Sequence, residues 1–195
     1  MARRGPYAKG VAKREEILRT ALEVVDRNGM RGTSVRELAD AVDLTQAGLL
    51  HHFGSKEALF LAILTVRDDE DAERAAGLDV IDQFLLVIQR NARTPGMVQL
   101  FTSLSAAATS DPAHPAHAWF AERYVRFRTL LTETIRERQA RGDIPADLDV
   151  EKLAAVMMAV SDGMQLQWML DPSTDMSAHV RLVWELALRS APRSS

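Results

Sequence analysis

Apolar side chains recur at spacings of three and four residues along almost the whole chain, and no segment alternates apolar with polar over the length of a strand. A chain patterned this way buries its apolar residues as stripes along helices, so an all-α fold is expected. The breaks between stripes are as informative as the stripes. A first helix is predicted over roughly 11–28, with Ile17, Leu18, Ala21, Leu22 and Val25 inward and Gly29 as its stop. Ser34 to Glu37 spells the S-x-x-E of a capping box and opens a second helix that buries Val35, Leu38, Ala39 and Val42. Thr45 caps a third helix, and Ser55 a fourth reaching about residue 76. Thr94 followed by Pro95 separates a helix at about 79–92 from one at about 95–109. The breaker-rich "SDPAHPAH" precedes a long helix, roughly 115–141, that ends at Gly142 and Pro145. Asp149 caps another that Asp171-Pro172 halts, and a last helix spans roughly 176–189. The count is about nine helices, with no internal repeat and no long linker.

The chemistry this chain can carry is bounded by what it lacks. Cysteine is absent, which removes disulfides, thiolate metal sites and cysteine nucleophiles. No apolar run approaches the length that crosses a bilayer, and the first residues lack a signal-peptide pattern, so a cytoplasmic protein with no membrane partner is expected. The net charge of −3 is unevenly spread: residues 1–60 hold ten basic and eight acidic side chains, and the remainder is acidic. Arg3, Arg4, Lys9, Lys13 and Arg14 stand near the start without an acid among them. A positive front on an acidic body suits a local contact with a polyanion, while the alternative is a solvated basic tail.

The stretch "DLTQAGLLHHFGSKEALF", residues 43–60, is the most constrained part of the sequence. Between Thr45 and Phe53 there is room for about two and a half turns, too few for a helix that is stable alone. It contains Gly48 and the adjacent pair His51 and His52. A short second helix, a turn of about three residues and this short third helix make the helix-turn-helix plan. Leu44, Leu49 and Phe53 form an inner stripe held by the first two helices, which leaves Gln46, Ala47, Gly48, Leu50 and His51 outward for a DNA groove. Gly48 either lets a backbone approach nucleic acid or packs against the first helix. Adjacent histidines point about 100° apart on a helix and cannot share a metal on one face, so no metal site is expected there.

Residues 11–64, with "GMRGTSVRELADAVDLTQAGLLHHFGSKEALFLAIL" at their heart, resemble the DNA-binding domain of the TetR family of transcriptional regulators. The resemblance implies a helix-turn-helix head over 1–54 and a helical ligand-binding and dimerisation body over 55–195. The implied function is that of a homodimeric, ligand-responsive repressor released from a palindromic operator. In this likeness Gln46 falls where the family often reads a base, and a Gln amide can bond adenine N6 and N7 together. Ala47 and Leu50 would touch thymine methyl groups. Thr33 and Thr45 lie at helix starts, where amides and hydroxyls hold phosphates. His52 and Lys56 match phosphate-contact positions. The chain departs from the family's usual Tyr at Leu50, aromatic at His51 and turn Gly at Asp43.

Further along, Phe84, Ile88, Phe101, Trp119, Tyr124 and Trp168 are expected to line a cavity, with Gln165 or Ser105 supplying polarity. Few charges accompany them, so a mostly apolar small-molecule effector is expected. The last two predicted helices are apolar around much of their circumference, which favours pairing with a second copy through Met157, Met164, Val180, Val183 and Trp184. Asp162 interrupts that apolar run and needs a partner. "RDDEDAE" at 67–73 reads as the solvated end of the fourth helix, lacking the Gly and terminal Glu of a calcium loop. There is no Gly-rich phosphate loop, no G-x-S-x-G, and no carboxylate set to complete a site with His114 and His117. Neither an enzyme nor a cofactor is expected. An all-α ligand-binding protein with vestigial DNA binding is the alternative.

Overall fold

The computed structural model describes residues 6–28 and 33–189. Among the described residues there are nine helices and no strand. They are α1 Pro6–Asn28, α2 Val35–Ala41, α3 Gln46–Phe53, α4 Lys56–Arg74, α5 Val80–Ala92, α6 Pro95–Ser110, α7 His117–Ala140, α8 Val150–Leu170 and α9 Met176–Arg189. The all-α expectation holds. The first helix starts earlier than its apolar stripe, at Pro6, because proline's missing N–H costs no bond in a first turn. Lys9, Lys13 and Arg14 therefore stand on helical backbone, while Arg3, Arg4 and the expected stop at Gly29 lie outside the described residues. None of the described helices is long and apolar enough to cross a membrane.

The chain divides into two compact units, residues 1–71 with 94–117 and residues 72–93 with 118–195. This division falls elsewhere than position 54: most of α4, and α6, cluster with α1, α2 and α3. In the first unit α1 packs on α2 and α6, and α2 packs on α3. Ile17, Ala21 and Val25 of α1, Leu38 and Ala39 of α2, and Leu59 and Ile63 of α4 are buried at helical spacing. The capping box forms as the sequence requires. The Glu37 amide donates to Ser34 Oγ at 3.2 Å and the Ser34 amide donates to Glu37 Oε2 at 2.7 Å, and these bonds to Ser34 hold the Glu37 carboxyl below its ordinary range. Ser55 Oγ accepts from the Ala58 amide at 3.0 Å and starts α4.

The charged run at 67–73 is only partly solvated. Arg67 is 3% exposed and Asp71 is also buried. The Arg67 guanidinium lies 3.5 Å from Asp26 of α1 and 3.4 Å from Asp71 one turn along α4. Its Nη2 donates to Thr94 Oγ1 at 3.4 Å. An acid placed four residues from an arginine lets both charges leave water together, a possibility that a count of charges conceals. Thr94 does precede α6, yet its side chain makes no capping bond; it is turned to Arg67 instead.

In the second unit α8 and α5 both pack on α9. Met157, Met164, Val180 and Trp184, expected at a contact with another copy, are buried within the chain, and Val183 is half-buried. The apolar circumference of α8 is shared out: one side is covered by α9 of the same chain, and the other carries Val156, Leu166 and Leu170, which are exposed. At about 100° per residue those three fall in one arc roughly 80° wide. On α9, Leu182 and Leu186 are exposed as well.

Asp162 finds the partner its position demands. Tyr124 Oη donates to Asp162 Oδ2 at 2.6 Å, and Gln165 Nε2 lies 3.4 Å from Oδ1. Burial nevertheless pushes the carboxyl pKa up, against the lowering effects of the Tyr124 bond and the Arg123 charge. A carboxyl whose folded pKa is raised favours the fold at pH values below its unfolded pKa, and that contribution is lost as pH rises through the folded value. Asp162→Asn is therefore expected to be as stable as the parent, or more so, at neutral pH. The gap should close in the parent's favour as pH falls into the carboxylate range. Thermal denaturation across that range checks it; a parent more stable than the variant at neutral pH contradicts it.

Candidate nucleic-acid interface

The α2–α3 corner is built by local chemistry. At the end of α2 the Val42 amide donates to Ala39 O at 3.2 Å and the Leu44 amide to the same oxygen at 2.9 Å. Between them Asp43 takes a φ of 54°, the left-handed region where a glycine would be at ease. Asp tolerates that region better than most side chains, so the turn keeps its shape without a glycine. Thr45 then caps α3, its Oγ1 accepting from the Gly48 amide at 3.0 Å. A Cβ added at Gly48 would lie 3.2 Å from that same Oγ1. The glycine thus makes room for the cap, and no atom of α1 stands among its near neighbours; the spacing alone did not suggest this. At the far end Gly54, with a φ of 86°, closes α3 by donating to Leu50 O at 2.7 Å.

The two sides of α3 separate as its pattern requires. Leu49 is 0% exposed, Phe53 is buried and Leu44 half-buried. Burying one leucine contributes about 1.5–3 kcal/mol, enough to hold a helix too short to persist by itself. Gln46, Ala47 and His51 are exposed, and Gly48, Leu50 and His52 are half-buried. Thr45 is exposed with its hydroxyl engaged in the cap. Lys56 is exposed, its ammonium 5.5 Å from the centroid of the Phe60 ring. The rings of His51 and His52 stand 6.2 Å apart at 65°, and among the described residues no group of three or more potential ligands could hold a metal.

Thr33 is the exception. Its side chain is 4% exposed and the cap of α2 is Ser34, so the Thr33 hydroxyl does not join the outward set. Arg14, one of the cations of the positive front, has its guanidinium 4.7 Å over the Phe53 ring, at the end of α3. That placement depends on how α1 crosses α3, which no local pattern in the sequence records.

The residues expected to line a cavity are brought together in part. Phe101 and Ser105 lie on α6 in the first unit, the others in the second. Tyr124 and Gln165 meet at Asp162. Trp119 packs edge-on against Phe120 at 4.9 Å, with the Arg123 guanidinium 5.7 Å from its ring. Phe84 is half-buried on α5. Ile88 and Trp168 are buried and line one groove of about 340 Å³ between the ends of α5 and α8.

Known proteins match along almost this whole arrangement. The family model of the bacterial regulatory proteins of the tetR family matches residues 17–63, and that of the C-terminal part of BetI-type transcriptional repressors matches residues 79–190. The HTH-type transcriptional repressor AcnR of Corynebacterium efficiens is 28% identical over 188 residues, 93% of this chain and 95% of that protein. The HTH-type transcriptional regulator UidR of Escherichia coli K12 is 23% identical over 156 residues, 77% of this chain and 78% of its own length. Among solved structures, a TetR-family transcriptional regulator from Cytophaga hutchinsonii superposes with a TM-score of 0.66 at 20% identity, covering 96% of this chain and 98% of that one. The helix-turn-helix with its outward face, and a C-terminal match that alone spans more than half of the sequence, lead to one conclusion: the chain belongs to the tetR family of bacterial regulatory proteins and is a DNA-binding transcriptional regulator.

Proposed function

We propose that the protein is a cytoplasmic, homodimeric repressor that holds a palindromic operator through α3 and releases it when a small molecule binds the second unit. The observation that carries this reading is the division of α3, with Leu49 wholly buried while Gln46, Ala47 and His51 face outward. Two such helices, one per copy, enter successive major grooves about one helical turn, ~34 Å, apart. Gln46 reads an adenine, and Ala47 and Leu50 lie against thymine methyl groups. The amides behind Thr45, with His52 and Lys56, take phosphates, and Arg14 adds a positive charge at the end of α3. A ligand that stabilises one spacing of the two heads over the other lowers operator affinity by its differential binding to the two states. Gel-shift titration of the DNA upstream of the protein's own gene, at several salt concentrations, tests the first half. Sequence preference with a steep fall in affinity as salt rises is expected, and binding with neither refutes the reading.

The exposed leucines support the dimer. Leu170 is 88% exposed and Leu166 and Leu182 are more than half or about half exposed, apolar side chains that an isologous contact would cover. Replacing Leu166 and Leu182 together with glutamate should yield a folded monomer by sedimentation, with operator affinity lost in step. Sedimentation unchanged from the parent dimer would place the interface elsewhere.

A further inference from the structure

We propose that the groove between the C-terminal ends of α5 and α8 and the α8–α9 turn binds a small organic anion, a carboxylate carried on a compact apolar body. The proposal rests on the reading of the second unit as effector-binding and names the site and the chemistry of that effector. The ligand expected from the sequence was mostly apolar; the groove adds an anionic group to it.

The groove has a volume of about 340 Å³, within the ~300–1,000 Å³ typical of small-molecule sites. Its floor is apolar: Ile88, Trp168 and Met176 are all buried. Trp168 is 6% exposed, and among the described residues its indole N–H meets no acceptor. Indole can only donate, and this N–H is not closed off from solvent, so an acceptor on a ligand can reach it. Arg93 stands on the rim, exposed and without an ion pair among the described residues.

No ion pair joins Arg93 to the acid of the same groove. Asp175 also lines the groove, but its carboxylate already accepts from Ser177 Oγ at 2.8 Å and from the Ala178 amide at 2.9 Å. Those bonds keep it ionised and held against the start of α9, its pKa lowered chiefly by the Ala178 amide. Gln89 on the rim can donate or accept. A guanidinium and an indole N–H above an aliphatic and aromatic floor call for an acceptor-rich group on an apolar body. A carboxylate takes two parallel bonds from a guanidinium, which a neutral amide or an amine cannot reproduce.

Isothermal titration of the full-length protein with benzoate, hexanoate, benzamide and hexylamine, in the absence of DNA, tests the site. Saturable binding of at least one carboxylate is expected, at least tenfold tighter than its amide or amine counterpart and accompanied by a change in tryptophan fluorescence. Arg93→Gln, an exposed change that leaves the thermal midpoint in place, should weaken that binding tenfold or more; Trp168→Phe, which keeps the ring and removes the N–H, should weaken it too. No saturable binding by either carboxylate overturns the proposal, as does equal binding of the matched amide or an affinity untouched by Arg93→Gln. A gel-shift competition with the same compounds separates the two readings. Carboxylate binding without operator release leaves the site standing and overturns its assignment as the effector site. Operator binding with no carboxylate bound overturns the site and leaves the regulator reading intact.

Discussion

The Gln46→Ala, Lys56→Ala double variant should lose operator binding by about 30- to 1,000-fold, roughly 2–4 kcal/mol, while its thermal midpoint stays where the parent's is. Both side chains are exposed, so neither contributes to the core, and exposed changes away from caps and networks usually stay within about 0.5 kcal/mol. Most of the loss is assigned to Gln46, whose amide offers the paired donor and acceptor that an adenine edge requires. Lys56 contributes a phosphate contact, and its removal should lower the slope of log affinity against log salt by about one. Gel-shift titration at three salt concentrations, beside a melting curve, separates the two effects. Equal affinity for parent and variant would mean that α3 faces DNA with another surface.

The second large effect concerns stability. Arg67→Ala should destabilise the protein by about 3–5 kcal/mol, read from urea denaturation, because it removes the cation that buried polar groups of the first unit share. The carboxylate most affected is Asp71, buried with Arg67 on α4. Asp26, on α1, is exposed and loses less. The arginine also reaches Thr94 at the start of α6, so three helices of the first unit share one cation. An Arg67→Met, Asp71→Leu variant of similar volume should recover much of the loss, since apolar replacements of whole ion pairs are often neutral. A cost of under about 1 kcal/mol for Arg67→Ala would show that water reaches this pair and screens it.

What the sequence disclosed, and what it hid, follows from the range of the forces involved. Helix starts were legible because caps are local: Ser34 with Glu37, Thr45 with Gly48 and Asp149 with Lys152 each close a bond within three residues. The outward set on α3 was legible for the same reason, since one helical period sorts Leu49 from Gln46. Long-range partners were not. Periodicity says that α8 is apolar on most sides but not which side its own chain covers, and so Met157 and Val180 were assigned to a neighbour while Val156 and Leu166 carry the exposed face. Arg67 with Asp26 and Thr94, and Arg14 over Phe53, bridge segments far apart in sequence. Ser34 caps α2 as its capping box predicts, whereas the neighbouring Thr33, a helix-start hydroxyl by sequence, is buried.

The claim on which the rest depends is that the outer side of α3 reads base pairs, with Gln46 as one of the readers. Selection of bound duplexes from a randomised pool, run in parallel with the parent and with Gln46→Ala, tests it most directly. The parent should enrich a palindrome with a fixed adenine in each half-site, and the variant should enrich the same palindrome with that one position relaxed. Enrichment of identical sequences by both proteins, the adenine included, would contradict it.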